Sequence, residues 1–457
     1  MRYLFVLIYF LVMLIVGVVS IFRIKGNDDF FIGGRRAGSL IIAGSLTATI
    51  LGSSAVLGTA NMAYDTGFSA MWWLLCAFIG LLILVPLSVR VRRYGRYSFP
   101  ELIGHFYGRQ AFFISSVIIP VAWIGVISAQ VTGSAKVLNS FLGMDYGLGV
   151  VLSGFLFMVY TFAGGQVAIL KTDIIQAFII ITGILYLFVH IFFFGQGNAL
   201  EGLGQSFPFS EGFGWFELAV LLLTLSTTYF VGPDIYSRLF CARDERAART
   251  AVVITALAVL VMAFVIVYTG VYACTIMDID TKSRTVLVDL SMVILPEWAI
   301  GLMTAALLSA IMSSADTTLL TASTIISEIF CLKDRGRFIV LTRVFIILLG
   351  LVSIFFALYV RNIISSLLTA LTIFSGSFVI PSVAGLLGYR AGRSRVGRAI
   401  ILGGITALAG RVIQMSGMGN TGDIIVISAF LMNALILFFP GRNINYNEHK
   451  TEQNRST

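Results

Sequence analysis

Apolar stretches of about twenty residues recur from Tyr3 almost to the C-terminus, separated by short polar loops. A helix rises about 1.5 Å per residue, so each stretch is long enough to cross the hydrocarbon core of a bilayer. The pattern predicts an all-α, polytopic membrane protein with about thirteen spans. The predicted spans are residues 3–22, 39–66, 68–89, 111–138, 146–163, 169–194, 214–234, 250–275, 298–329, 338–360, 364–388, 399–415 and 421–440.

Span nine is unusual because it carries many hydroxyls and a carboxylate. At 100° per residue, one face carries Ala310, Ser313, Ser314, Thr317, Thr321 and Thr324, and a second stripe carries Ser309, Asp316, Ser323 and Ser327. Such groups are costly in lipid, so both stripes must face protein or water. Small hydroxyl residues also join helices in membrane bundles. The density of polar groups, with an intramembrane aspartate, favours an ion site.

Two spans carry helix-breaking residues near their middles. Span two has Gly44, Gly52, Ser53, Ser54 and Gly58, and span seven has Ser226, Thr227 and Thr228 followed by Gly232-Pro233. These spans begin two blocks of five, spans two to six and seven to eleven. Interrupted helices at matching places in two halves indicate an inverted-repeat transporter with its site near the membrane midplane. The alternative is that glycine and serine only permit close helix packing.

Composition and charge exclude several classes of protein. The chain is 58% hydrophobic and 12% charged, and its net charge of +9 comes from Lys and Arg clustered in short loops. These clusters indicate how the chain is oriented in the membrane rather than nucleic-acid binding. The clusters follow spans one, three, seven, nine and eleven, which places the N-terminus outside and a disordered polar tail, 443–457, inside. No nucleophile–base spacing or metal cluster indicates an enzyme.

The sequence resembles the sodium/solute symporter family, which includes bacterial sodium/proline, sodium/galactose and sodium/sialic acid symporters. Four stretches, spread in order over most of the chain, are similar to family motifs. They are FFIGGRRAGSLIIAGSLTATILGSS, YTFAGGQVAILKTDIIQAF, YFVGPDIYSRLFCARD and ALLSAIMSSADTTLLTASTIISEI. The resemblance implies two inverted repeats of five helices, of the leucine-transporter type, with one extra N-terminal helix and two C-terminal helices.

The resemblance also implies a sodium site. Matched by position, its oxygens are the carbonyls of Ala48, Leu51 and Ala310 and the hydroxyls of Ser313 and Ser314. Neutral oxygens suit a monovalent ion that must be released again, whereas Ca²⁺ or Mg²⁺ would require carboxylates.

A second cation or proton site is implied near Asp173, which matches the family's Thr-Asp carboxylate. Asp316 and Thr317 of span nine are expected beside it. Three roles are open for Asp316: strengthening a second cation site, carrying a proton, or pairing with Lys171. Arg35 matches a loop arginine of the family and is expected to act as a gate or orientation residue.

The solute is less defined than the ion. Ile50 and Leu225 replace a carboxylate and a tryptophan of proline-type members, and Ser54 and Ala55 replace polar groups of sugar-type members. The expected pocket is small and carries few charges. The residues expected to line it are Ser53, Ser54, Gln130, Tyr229 and Phe374. Tyr229 and Phe374 are equally plausible as packing residues. Gln130 could instead form a hydrogen bond to a neighbouring helix.

The sequence therefore predicts sodium-coupled symport of a small organic solute by alternating access, in the cell (inner) membrane. A proton-coupled or sodium-independent solute carrier of the same fold and a membrane-embedded sensor without transport are the alternatives. The expected partners are sodium, a solute and membrane lipid, without nucleic acid and without a required oligomer. The predicted divisions are 1–38 (extra helix and loop), 39–195 and 196–390 (the repeats), 391–442 (two helices) and 443–457 (tail).

Overall fold

The computed structural model describes residues 2–21, 24, 26–94, 97–195, 206–211, 213–277, 285–331 and 335–438. The predicted tail, 443–457, and several basic loop residues (Arg23, Lys25, Arg96 and Lys333) lie outside this part. Helices make up almost all of the described chain. They are Arg2–Ile21, Asn27–Ile32, Ser39–Ile50, Thr59–Thr66, Met71–Tyr94, Phe99–Tyr107, Arg109–Leu142, Tyr146–Phe194, Trp215–Leu221, Thr227–Val231, Pro233–Cys241, Glu245–Ile276, Val286–Ile294, Glu297–Cys331, Phe338–Tyr359, Ile363–Leu386, Arg393–Met415 and Gly419–Phe438.

The described residues form helices along all thirteen predicted spans. Ten helical segments are long and apolar enough to cross a membrane, among them Ser54–Tyr94 and Tyr146–Phe194. The latter has 49 residues and holds two spans that meet at Gly165, whose backbone is not helical (φ 52°, ψ −162°). Arg2–Ile21 supplies span one, and Ser39–Ile50 begins span two, which continues into the first part of Ser54–Tyr94.

Span nine, Glu297–Cys331, lies at the centre of the bundle and is called the polar helix here. Of its most apolar stretch, 89% is buried, against 33% for span ten, Phe338–Tyr359. Large apolar side chains such as Phe193 and Phe355 are exposed on the outside of the bundle, where a lipid-facing surface is expected. The hydroxyl-rich faces of the polar helix therefore meet other helices rather than lipid.

Both predicted helix breaks are present. Span two, called the broken helix here, leaves helical geometry at Leu51 (φ −80°, ψ 44°) and resumes with a π-helical turn at Ser54–Gly58. Span seven is interrupted at Gly232, which is extended (φ −62°, ψ 138°), and Pro233 begins the next helix. Proline suits that position because the first turn of a helix needs no backbone donor there.

The loops rich in arginine meet on one side of the bundle, called the basic face here. Ala37, after span one, pairs with Ala242, after span seven. Arg92, at the end of span three, donates a 2.6 Å hydrogen bond to the Ala242 carbonyl. Asp244 caps the next helix. Its carboxylate accepts a hydrogen bond from the backbone N–H of Ala247, and this bond lowers the pKa of Asp244. Three of the basic clusters thus lie on one face, as the span count requires.

Candidate cation and solute site

The first candidate cation site lies where the broken helix meets the polar helix. The Ser313 hydroxyl donates to the Ala48 carbonyl at 2.7 Å and is 3.2 Å from the Ala310 carbonyl. The Ser314 hydroxyl donates to the Thr49 carbonyl at 2.7 Å. Leu51, at the break, is fully buried. Three of the five predicted oxygens therefore converge: the carbonyls of Ala48 and Ala310 and the hydroxyl of Ser313. The hydroxyl of Ser314 contacts the carbonyl of Thr49, the residue after Ala48.

The break explains why these carbonyls are available. The last carbonyls of a helix have no partner within it, and they form the negative end of its dipole. In a continuous helix, the backbone N–H of Ser53 would bond to the carbonyl of Thr49. Instead it donates to the side-chain oxygen of Gln130 on span four, at 3.1 Å. Gln130 thereby holds the break open and leaves the Thr49 carbonyl to the polar helix.

A second polar cluster lies one turn further along the polar helix. Asp173 Oδ2 accepts a hydrogen bond from Ser45 and lies 3.2 Å from Arg238 Nη2. The same guanidinium donates to Thr317 Oγ1, which is 3.3 Å from Thr49 Oγ1. The cluster thus joins spans two, six, seven and nine around two opposite charges.

Arg238 is the residue that sequence reasoning placed wrongly. It follows the predicted end of span seven at residue 234 and is therefore expected in the basic loop cluster after that span, but its side chain is completely buried. It lies on the short helix Pro233–Cys241, which follows the break of span seven and continues the span beyond the predicted end at 234. The signal that could have identified it is its position inside the apolar run IYSRLFC, before the loop begins.

Asp316 lies on a different side of the polar helix from Ser313. Its carboxylate accepts a 3.1 Å hydrogen bond from Thr161 of span five, and the side chain is almost fully buried. Nearby, the hydroxyls of Tyr160 and Thr172 are 2.6 Å apart. The three roles considered for Asp316 stay predictions.

Of the five residues expected to line a solute pocket, the structure brings Ser53 and Gln130 into direct contact. Ser53 bonds to Gln130 and is buried beside the break. Tyr229 has its Cβ close to Gly80 of span three. Phe374 is fully buried, with its ring 5.0 Å from that of Trp123. Trp123 precedes Gln130 by seven residues, about 10 Å along span four.

A small void lies beside the polar helix, beyond the second cluster. It holds about 10 Å³ and is lined by side chains of the polar helix, including Thr321 and Thr324, and by Ser237 and Gln166. Within the described residues, Thr321 Oγ1 and Gln166 Nε2 are buried without a hydrogen-bond partner. Buried polar atoms of this kind are ordinarily satisfied by water or a bound ion.

Arg35 lies on the basic face with a positive φ of 55°, at the end of the turn Gly33–Arg35. Two residues later, Ala37 accepts a 2.9 Å hydrogen bond from the backbone of Arg243. The location agrees with the expected loop position, and the gating role stays a prediction.

Comparison with known proteins gives the same assignment. The model of the sodium:solute symporter family matches residues 30–390. The sodium/pantothenate symporter of Escherichia coli (strain K12) is 24% identical over 404 residues, covering 83% of each chain. The sodium/proline symporter of Staphylococcus aureus (strain JH9) is 25% identical over 388 residues, covering 77% of this chain and 74% of its own.

Solved structures share the fold. A Na⁺-coupled sialic acid symporter in a substrate-bound outward-open state superposes with a TM-score of 0.81 at 20% identity, over 97% of this chain and 99% of the other. A nucleobase-cation-symport-1 family transporter in a closed conformation superposes with a TM-score of 0.56 at 14% identity, over 89% of this chain and 93% of the other. The five-plus-five fold is thereby confirmed. Since the family model spans most of the chain, the protein belongs to the sodium:solute symporter family, and it is a multi-pass membrane transporter rather than an enzyme.

Proposed function

We propose that this symporter binds its coupling sodium ion between the broken helix and the polar helix. The ligands are the carbonyls of Ala48, Leu51 and Ala310 and the hydroxyls of Ser313 and Ser314. The observation that carries the proposal is the contact of Ser313 Oγ with the Ala48 carbonyl at 2.7 Å. Sodium is transported here rather than held as a resident cofactor.

Sodium at this place would couple to solute through the break. An ion shared by the two helices draws them together, and Gln130 connects the same break to span four through the backbone of Ser53. The solute is a small polar organic molecule with few charges, bound beside Ser53, Ser54 and Gln130. This lining carries hydroxyl and amide groups, which recognise neutral polar parts of a solute.

Orientation follows from the basic face, which we place in the cytoplasm according to the positive-inside rule. Sodium then enters from the side opposite the arginine loops and leaves past Thr317 and Thr321, the latter of which lines the small void. One charge moving through 100 mV releases about 2.3 kcal/mol, which supports roughly fiftyfold accumulation of a neutral solute.

The proton-coupled alternative rests on Asp173 or Asp316, two buried carboxylates that each accept a hydrogen bond from a hydroxyl group. Under that alternative, a pH gradient would drive uptake without sodium. A sodium-coupled carrier accumulates solute only when sodium is present outside.

The experiment is a thermal-shift screen of the purified protein against amino acids, monocarboxylates including pantothenate, sugars and nucleobases, in sodium and in potassium. A ligand that binds the native state raises its melting temperature. We expect one solute class to stabilise the protein only in sodium. Uptake of that solute into proteoliposomes under a sodium gradient then establishes transport, and uptake under a pH gradient alone would contradict the proposal.

A further inference from the structure

An apolar cavity of about 210 Å³ lies among spans one, four, five and nine. Its lining includes Phe10, Leu138, Leu152, Leu156, Leu308 and Met312. Among the described residues that line the cavity, none is charged, and its two hydroxyls, those of Ser134 and Ser153, bond to each other at 2.8 Å. Because each hydroxyl already has a partner, the cavity suits an apolar occupant.

The cavity is larger than ordinary packing space. Protein interiors are close-packed, and voids larger than a water molecule are few. An engineered apolar cavity of about 150 Å³ stays free of water and binds small apolar molecules such as benzene. The cavity among these four spans is larger and has room for several methylene groups. If it stayed empty, its lining would lose favourable dispersion contacts.

The mouth of the cavity is continuous with the lipid-facing surface. Leu152 lines the cavity and is 44% exposed, and it shares one face of span five with the exposed side chains of Leu148 and Phe155. In contrast, the lining residues Leu308 and Met312 of the polar helix are only 3% and 2% exposed. The lining thus extends from the lipid-facing surface to the buried centre of the bundle.

We propose that one acyl chain of a membrane phospholipid occupies this cavity and stabilises the packing of the polar helix against spans one, four and five. The bilayer presents such chains at the mouth. The described lining has no positive charge that would select the carboxylate of a free fatty acid. A phospholipid chain can enter while its headgroup stays at the membrane interface.

The wall formed by the polar helix adjoins the candidate cation site. Met312 directly precedes Ser313, whose hydroxyl contacts the Ala48 carbonyl. The sulfur of Met312 accepts a 3.6 Å hydrogen bond from the hydroxyl of Tyr9, which joins span one to the same turn. A chain that fills the cavity therefore restrains the turn that carries the Ser313 hydroxyl.

The wall formed by span four reaches the break of span two. Ser134 directly follows Gly133, where a Cβ would lie 2.6 Å from the Cβ of Ser53. The same span holds the break open through Gln130. Since both sides of the candidate cation site adjoin the cavity, we expect its occupation to tighten sodium binding, and this consequence rests on the proposed function.

Photo-crosslinking tests the occupant. The full-length protein is placed in nanodiscs that contain a phosphatidylethanolamine with a diazirine near the end of one acyl chain, and labelled peptides are identified by mass spectrometry. We expect labelling of the polar helix at Leu308 and Met312, which lipid outside the bundle does not reach. Leu156→Trp fills the cavity and should lower this labelling by about tenfold or more. The matched control is Phe155→Trp at the neighbouring, 60% exposed position, which should leave it unchanged.

Two results would overturn the proposed occupant. One is labelling confined to lipid-exposed residues such as Phe155, and the other is equal labelling of the polar helix in the two tryptophan variants. A free fatty acid that carries the same diazirine is the second probe, and stronger labelling by it would contradict the choice of a phospholipid. Leu152→Trp, at the mouth of the cavity, takes the place of Leu156→Trp if that variant does not fold.

Sodium binding tests the stabilising effect. The protein is stripped of lipid in a detergent built on a rigid steroid, and the binding of radioactive sodium is measured before and after phosphatidylethanolamine is added. We expect lipid to tighten sodium binding by about threefold or more in wild type and in Phe155→Trp. Leu156→Trp should bind sodium equally well with and without lipid, because its indole fills the cavity.

The outcomes separate this inference from the proposed function. Sodium affinity that does not depend on lipid in wild type, or that still depends on it in Leu156→Trp, contradicts the stabilising effect. A wild-type protein that binds no sodium at all contradicts the proposed function instead, and crosslinking still decides whether an acyl chain occupies the cavity.

Discussion

Gly52 and Ser314 are in direct contact at the centre of the bundle. A Cβ built at position 52 would lie 2.3 Å from Ser314 Oγ and 3.0 Å from its Cβ. A side chain at position 52 would force Ser314 to move, so glycine allows the broken helix to approach the polar helix this closely. The hydrogen bonds from Ser313 and Ser314 to the carbonyls of residues 48 and 49 depend on this closeness.

Gly52→Ala should therefore separate the two helices and weaken sodium binding by about tenfold or more, since overpacking of this kind costs about 1–3 kcal/mol. Equilibrium binding of radioactive sodium measures the effect. Gly38→Ala is the matched control, because a Cβ at the start of the same helix meets nothing within 4 Å. Equal sodium affinity in the two variants would show that the contact at position 52 is not required.

Replacing both Ser313 and Ser314 by alanine should raise the half-saturating sodium concentration by about tenfold or more, or abolish transport. The reason is that a hydrogen-bonding group facing a charge contributes about 1.5–3 kcal/mol. The measurement is the sodium dependence of binding or uptake. The control is Ser327→Ala, near the C-terminal end of the same helix. It removes a hydroxyl that bonds to the Ser323 carbonyl and the Thr342 hydroxyl, and it should leave the sodium dependence unchanged. A parallel change in the control would indicate general damage to the polar helix.

Phe374→Leu should lower stability without altering recognition of the solute. Its ring packs against Trp123, Phe99 and Phe378, with centroids 5.0 to 5.7 Å away. Loss of these contacts is expected to cost about 1–3 kcal/mol. A lower melting temperature with an unchanged half-saturating solute concentration is the expected result.

Gln130→Ala provides the contrast, because it removes the side chain that accepts the Ser53 N–H. We expect it to impair both sodium and solute binding. If Phe374→Leu alters solute affinity as strongly as Gln130→Ala does, the aromatic cluster belongs to the pocket.

The proposed orientation predicts the reactivity of a native cysteine. Cys274 is exposed near the end of span eight that lies away from the basic face, whereas Cys76, Cys241 and Cys331 are buried. A membrane-impermeant maleimide should label intact cells expressing the protein, and Cys274→Ser should remove the label. Labelling that requires inside-out vesicles would place the basic face outside the cell.

The sequence alone determined the span count, the two breaks and the oxygen-rich face of the polar helix. These features are local, since they depend on apolar length, on glycine and proline, and on helical periodicity. The carbonyls of Ala48 and Ala310 and the hydroxyl of Ser313 could be assigned to one site because helix breaks and family motifs mark them along the chain.

Only the tertiary structure decided which residues from different spans meet. Arg238 reads as a loop charge, yet helix packing turns it inward onto Asp173, 65 positions away in the chain. Likewise, only helix packing brings Gln130 of span four to the backbone of Ser53 at the break of span two. The physical reason is that periodicity defines the face of a helix, whereas depth and partner depend on how helices pack, which no local pattern encodes.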